Sequence, residues 1–256
     1  TLTCSSDGTA TYEPLQGWSN TRKYTFFAYY PIENQNVTLV NLDGTPYAGG
    51  TPAIKYTMNA SSLASSMVDV MTAPDYTDKY WISSADNNIN NSDLSFQFVH
   101  RLSSLGLHVK NSSAAAITIN SVIVLIDGIK HSNAIIPLDG TPVEYSGPAL
   151  SSYAGFAINL TEAEKSVDAT GSVINDKLIF IPQTDNISIS LTIGYQRKYG
   201  DSDPTDEEFS TTAPISTTLK EAIKHILYVN FMDSNTYVMI KSGNWDDGPN
   251  VNHEFN

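Results

Sequence analysis

A single cysteine, Cys4, is all that this 256-residue chain holds. No internal disulfide can form from it, and neither a paired-thiol motif nor a cysteine-rich zinc site is available, so stability must come from packing. Basic residues are scarce too: fourteen Lys and Arg against twenty-seven Asp and Glu leave a net charge of −13. A phosphate-gripping face needs clustered Lys and Arg, so a nucleic-acid partner is excluded and the charge reads as an aid to solubility. No apolar run approaches the roughly twenty residues that span a bilayer. There is no Gly-x-Ser-x-Gly elbow, no phosphate-binding motif and no convincing carboxylate pair of the glycosidase kind. His100, His108, His131, His225 and His253 show no metal-ligand spacing. Neither catalytic chemistry nor a cofactor is expected. The chain starts at Thr1 without Met or a signal-like segment, which reads as processing or truncation.

What is present is strand material. Hydrophobic residues make up 41% and aromatics 10%, enough for a core, while Ser, Thr and Asn replace charge on the surface. Between Tyr24 and Pro31 the chain reads Tyr-Thr-Phe-Phe-Ala-Tyr-Tyr-Pro, an aromatic strand closed by proline. Leu2–Cys4 and Thr9–Tyr12, separated by Ser6-Asp7-Gly8, predict a small hairpin, with Cys4 an ordinary strand or loop residue. Ala53–Met58, Leu94–Phe98, Leu105–Val109 and Ile117–Ile126 follow as strands; the last is apolar enough to be covered on both faces or to lie in a sandwich core. Ser65–Met71 is compatible with a strand or a short helical turn. Later strands fall at Ala134–Leu138, Ser152–Leu160, Lys177–Ile181, Ile187–Gln196, His225–Met232 and Thr236–Ile240, with turns at Asp139-Gly140, Gly147-Pro148, Asn175-Asp176 and Asp233–Asn235. Only Ser216–Lys224 looks helical.

Ser83–Asp93 is nearly devoid of residues fit for burial and marks a linker. The expected architecture is all-β, with a sandwich domain at 1–92 and a second at 93–256.

Several phrases in order resemble the fimbrillins, pilins and minor pilins of the Bacteroidales cell surface. They are Tyr24–Pro31, Asp69-Val-Met-Thr-Ala73, Leu94-Ser-Phe-Gln-Phe-Val-His-Arg-Leu-Ser-Ser-Leu105, Leu178-Ile-Phe-Ile-Pro-Gln183, and Trp245 followed by Val251 and Glu254-Phe255. The resemblance implies two transthyretin-like, Greek-key antiparallel sandwiches, a lipoprotein precursor that attaches to the outer membrane, and no enzyme activity. It further implies a fimbrial subunit whose partners are other pilin subunits, with a host glycan or protein as a receptor. In such proteins a protease removes the first strand and a strand of the neighbouring subunit fills the groove, which is strand addition to an open sheet edge. Only about twenty residues precede the aromatic phrase, so the first domain is expected to be incomplete by itself. Phe26, Ala28 and Tyr30 are then expected beside the acceptor groove, and Asn244–Asn256 is the candidate donor, anchored by Trp245, Val251 and Phe255. The same terminal residues also suit the last strand of their own domain.

Three further features have competing readings. Asp201, Asp203 and Asp206 lie in an acidic run, Asp201–Glu208, that offers oxygen ligands for calcium, but the run lacks EF-hand spacing and reads better as a solvated hairpin loop. His100 near Ser103 and Ser104 has no acidic partner in any recognisable motif and reads as a hydrogen-bonded structural residue at a strand end. Fourteen Tyr and three Trp would suit a sugar-stacking platform, so the alternative function is a stand-alone, glycan-binding outer-surface lipoprotein.

Overall fold

The computed structural model describes residues 2–4, 10–12, 27–32, 34–58, 67–73, 97–150 and 154–245. Its longest strand is β15 (Asn186–Lys198), where Ile187, Ile189, Leu191, Ile193 and Tyr195 are buried and the residues between them are partly open. Side chains of a strand alternate between faces, so this spacing gives β15 one core face. Its neighbour β9 (Ala116–Asp127) changes phase midway: Ile117 and Ile119 are buried, then Val122, Val124 and Ile126. The pairing explains the switch, because Gly194 faces Ser121 while Tyr195 faces Ile119, leaving Asn120 as the extra residue of a bulge. A Cβ on Gly194 would stand 2.7 Å from Ser121 Oγ, so a larger residue there would require the serine hydroxyl to turn away. Ile123 on the outer face is 40% exposed, hence β9 is covered on one face only.

The sheet containing β9 and β15 is completed by β12 (Ala154–Ala157), β13 (Ser166–Val167), β16 (Thr205–Ser210) and β17 (Ile215–Thr218). Facing it is the sheet β14 (Ser172–Phe180), β8 (Ser103–Asn111), β18 (Ile223–Phe231), β19 (Thr236–Asn244), in that order. Ring contacts bridge the two: Phe156 meets Phe180 edge-on at 5.5 Å, and Tyr195 meets Phe231 at 4.7 Å. β8 and β18 run parallel, a departure from the expected antiparallel sheets, whereas β8–β14 and β18–β19 are antiparallel. β8 is buried at every position from Ser103 to Leu107, as a strand covered on both faces must be.

The earlier part of the chain supplies β4 (Val37–Asn41) and β5 (Pro52–Thr57), which join β10 (Asn133–Pro137) and β11 (Glu144–Ser146) in the order β11-β10-β5-β4. Residues 133–146 thus share a sheet with strands that precede the expected division at 92, and that division falls outside the described residues. Ile54, Tyr56, Ala134 and Ile136 belong to the same buried apolar cluster as the two facing sheets. A three-stranded sheet links these parts: β3 (Tyr29–Tyr30), β6 (Met71–Thr72) and β7 (Val99–His100). The predicted terminal hairpin is present as β1 (Leu2–Cys4) and β2 (Ala10–Tyr12), with Leu2 opposite Tyr12.

Local expectations fail where tertiary contacts outweigh local preference. Ser216–Lys224 is not helical: β17 pairs with β15, and the Leu219–Ala222 turn is tied down by Gln183 N–H donating to Leu219 O (2.7 Å) and Ala222 N–H donating to Leu102 O (3.0 Å). The helix of the described residues is α1 (Glu162–Lys165), where Glu164 N–H donates to Thr161 Oγ1 and Thr161 N–H donates to Glu164 Oε2. That Thr-x-x-Glu capping box stands in plain view in the sequence. Asn175-Asp176, expected to turn, lies inside β14 at a register shift. Ser65–Met71 is, in its described portion, irregular until β6 begins at Met71. The predicted strand at Leu94–Phe98 and the linker lie almost wholly outside the described residues.

Candidate assembly site

The aromatic phrase forms β3 at the edge of the small sheet. Tyr29 lies opposite Thr72 and Tyr30 opposite Met71; Met71 in turn faces His100 and Thr72 faces Val99. Ala73 N–H donating to Ala28 O (3.1 Å) and Arg101 N–H donating to Val70 O (2.9 Å) extend the two ladders. Phe27 and Tyr29 pack against the core, while Tyr30 is 53% exposed. Ala28, half-buried, and Tyr30 alternate with that inward pair along the strand; Phe26 lies outside the described residues. Among the described residues β3 and β7 each pair on one side only. Ile32, Phe98 and Val99, adjoining those strands, are exposed as well. An apolar, half-paired rim of this kind is what a further strand would cover.

Trp245, expected as a donor anchor, is half-buried against its own chain. Its ring lies on that of His100 at 4.1 Å with 2° between the planes, and its backbone N–H donates to Ala222 O (2.8 Å). Ala222 holds φ +56 there, a left-handed conformation that a non-glycine residue adopts only when its surroundings compel it. His100 Nδ1 is also 2.6 Å from Asp69 Oδ2, a partner thirty-one residues away that no local motif announces. Next to it Arg101 Nε lies 2.8 Å from Glu221 Oε1, an ion pair without the alignment of a hydrogen bond, and its Nη1 reaches Thr72 Oγ1 at 3.5 Å. The chain thus leaves β19 clamped beside the β3–β6–β7 sheet. Val251 and Phe255 lie outside the described residues.

Around His100, Asp69 occupies one ring nitrogen, Trp245 covers a face, and Ser103 Oγ donates to Ile223 O at 3.4 Å, which suits the reading of His100 as a hydrogen-bonded structural residue. The acidic run is a hairpin as expected, though its second half is strand. Asp201 and Asp203 sit exposed in the loop, while Asp206, on β16, accepts a hydrogen bond from Gln196 Nε2 (3.0 Å). No group of three or more His, Cys, Asp or Glu positioned to hold a metal occurs among the described residues.

His225 is buried on β18, with Nδ1 2.6 Å from Ser242 Oγ. Burial first, and then the Lys220 charge, hold its pKa below the ordinary 6.5. The folded ring therefore stays neutral where the unfolded chain takes up a proton. Stability is intact above the unfolded value, about 6.5, and falls as the pH drops from there through the lower folded value. Thermal melts between about pH 7.5 and about pH 5 should show this decline, and His225→Gln should lose part of the slope.

A family model described as fimbrillin-like matches residues 1–245. The chain belongs to the fimbrillin-like family. A fimbrial protein from Bacteroides vulgatus ATCC 8482 has a similar fold at TM-score 0.65 and 20% identity, over 96% of this chain and 84% of that one. A Bacteroides ovatus ATCC 8483 protein named as a candidate cell adhesion protein follows at TM-score 0.51 and 14% identity, over 94% and 77% of the two chains. No curated protein matches. Three fimbrillin-like phrases that lie far apart in sequence converge in space: Asp69 on the second is bonded to the ring of His100 on the third, which Trp245 on the last covers.

Proposed function

We propose that this chain is a non-enzymatic structural subunit of a cell-surface fimbria, joined to neighbouring subunits by strand complementation and contributing to adhesion. The observation that carries the reading is the β3–β6–β7 sheet, half-paired among the described residues, with Tyr30, Ile32, Phe98 and Val99 exposed along it. An incoming extended segment would gain main-chain hydrogen bonds at such an edge and bury alternate apolar side chains, which is how added strands bind. The segment beyond Trp245 is the proposed donor, with Val251 and Phe255 as its apolar anchors and Pro249 limiting the paired length. Trp245 stands at the root of that segment in this scheme, seated on His100 of its own chain. Family membership supports pilin partners at the cell surface, and a lipoprotein precursor attached to the outer membrane is proposed by the same analogy.

A synthetic peptide covering residues 246–256 should bind the purified chain and slow fibre growth. The same peptide with Val251 and Phe255 replaced by Ser should do neither. Sedimentation and fibre imaging provide the readout. A chain that remains monomeric at high concentration and ignores the peptide would rule the scheme out.

A further inference from the structure

Gln183, the last residue of the Leu178–Gln183 phrase, has no part in the proposed strand seam, yet it is buried and fully engaged. Its N–H donates to Leu219 O (2.7 Å), its Oε1 accepts from Lys130 N–H (3.0 Å), and its Nε2 donates to Gly128 O (2.8 Å) and Asp185 O (3.2 Å). One residue, through its backbone N–H and its side-chain amide together, thereby ties the connections β9–β10, β14–β15 and β17–β18. Gly128 at φ +90, with Asn186 O 3.1 Å from where a Cβ would be, lets the first of these pass close to the second. Such stitching pre-organises the loops before any ligand arrives, which lowers the ordering cost of binding.

Between the stitched loops lies an open cleft of about 410 Å³. That is the size of a small-molecule site. Its lining combines three kinds of group. Leu219, fully buried, supplies an apolar element. His131 and Tyr145 supply ring faces, their centroids 6.1 Å apart and their planes 24° from parallel. Lys130 and Lys220 supply exposed ammonium groups that make no ion pair among the described residues. Of the cleft's two carboxylates, Glu221 is already set against Arg101 at 2.8 Å, and Asp185 is exposed. In a chain of net charge −13, two lysines against one exposed carboxylate, Asp185, leave this cleft with a local excess of positive charge that favours an anionic ligand. Burial, then the Glu221 carboxylate, pushes the Tyr145 hydroxyl up to about 12, so it remains a hydrogen-bond donor at neutral pH.

We propose that this cleft binds an acidic saccharide, a uronic or sialic acid residue, with Lys130 and Lys220 taking the carboxylate and the His131–Tyr145 pair presenting a surface for the ring. Thr184, Thr218 and Asp185 are placed along the cleft for sugar hydroxyls, which a simple carboxylate lacks. The site uses none of the exposed rim residues Tyr30, Ile32, Phe98 and Val99, and it stands whether or not the chain polymerises.

Calorimetric titration of the full chain with glucuronic acid, N-acetylneuraminic acid, glucose, N-acetylglucosamine and acetate tests it. The two acidic sugars should bind and the neutral ones should not, and affinity should weaken as salt is raised. Lys130→Gln with Lys220→Gln should cut affinity for the acidic sugars about tenfold, or about 1.4 kcal/mol, while leaving the melting temperature unchanged. Should that variant fail to fold, the Tyr145 ring resonances of the unaltered chain offer a second check, and they should shift on adding an acidic sugar. Equal binding of glucose, acetate binding as tightly as the uronate, an unaffected folded double variant, or unmoved Tyr145 resonances would each overturn the proposal.

Discussion

Arg197→Ala should lower the unfolding free energy by about 2 to 3 kcal/mol, under the range for a fully buried ion pair because the Glu207 side chain is 35% exposed. The guanidinium is 7% exposed at the end of β15 and spends its donors on four acceptors. Nε donates to Glu207 Oε2 (3.1 Å), Nη1 to Met232 O (3.1 Å) and to the Tyr199 hydroxyl (3.4 Å), and Nη2 to the Tyr195 hydroxyl (3.5 Å). Tyr195 in turn donates to Glu207 at 2.7 Å. Burial works against the charge, but the hydrogen bonds with Tyr195, Tyr199 and Glu207 outweigh it and lift the pKa above that of an ordinary guanidinium. Met232 follows β18, so this one side chain ties the β15–β16 hairpin to the opposite sheet. Truncation would leave Glu207 and the Met232 carbonyl without their strongest donor and open the end of the sandwich. In a chain of this size the melting temperature should fall by about 10 °C. Arg197→Lys should recover only part of the loss, because an ammonium keeps the charge without the planar fork. A loss below about 1 kcal/mol would show instead that the network behaves as a solvated surface pair.

Trp245→Ala should cost about 2 to 3 kcal/mol, less than a fully buried tryptophan because the ring is half-exposed. The substitution removes the cover from His100 and admits water to the 2.6 Å contact between His100 and Asp69. Trp245→Phe should keep most of the stack. Denaturant unfolding of the monomer separates the two roles open to this residue. If Trp245 works as a clamp within its own chain, the alanine variant loses stability before any assembly. If its ring serves a neighbouring subunit instead, monomer stability stays unchanged and fibre formation alone fails.

The recurring Asp-x-Thr turns show how far local sequence reaches. At Asp43, Asp139 and Asp168 the carboxylate accepts the N–H and the hydroxyl of the threonine two residues on, which needs no tertiary support. At Asp43 and Asp168 these threonine bonds hold the carboxyl pKa below its usual value. Period-two alternation exposed β15 in the same way, and the hydrophobic runs revealed β5, β9, β10 and β18 to within a few residues. The bulge at Asn120 escaped notice, since a bulge is defined by the partner strand and not by its own residues. The β17 segment was misread for a related reason: Ser216–Lys224 carries a capping pattern, but its pairing with β15 supplies more hydrogen bonds than two isolated helical turns could.

By itself the sequence determined the class of this protein: abundant β-branched and aromatic alternation, one cysteine and scarce helix formers leave sheet packing as the means of burying a core, and ordered phrases along the chain place it among the fimbrillin-like proteins. Tertiary structure decided the rest. Which strands run parallel, that residues 133–146 complete a sheet begun at Val37, that Asp69 meets His100 under Trp245, and that Gln183 draws three loops around a cleft all depend on contacts between residues far apart in the chain. Periodicity reports which face of a strand is buried, because that face repeats every second residue; it carries no information about which other segment does the burying.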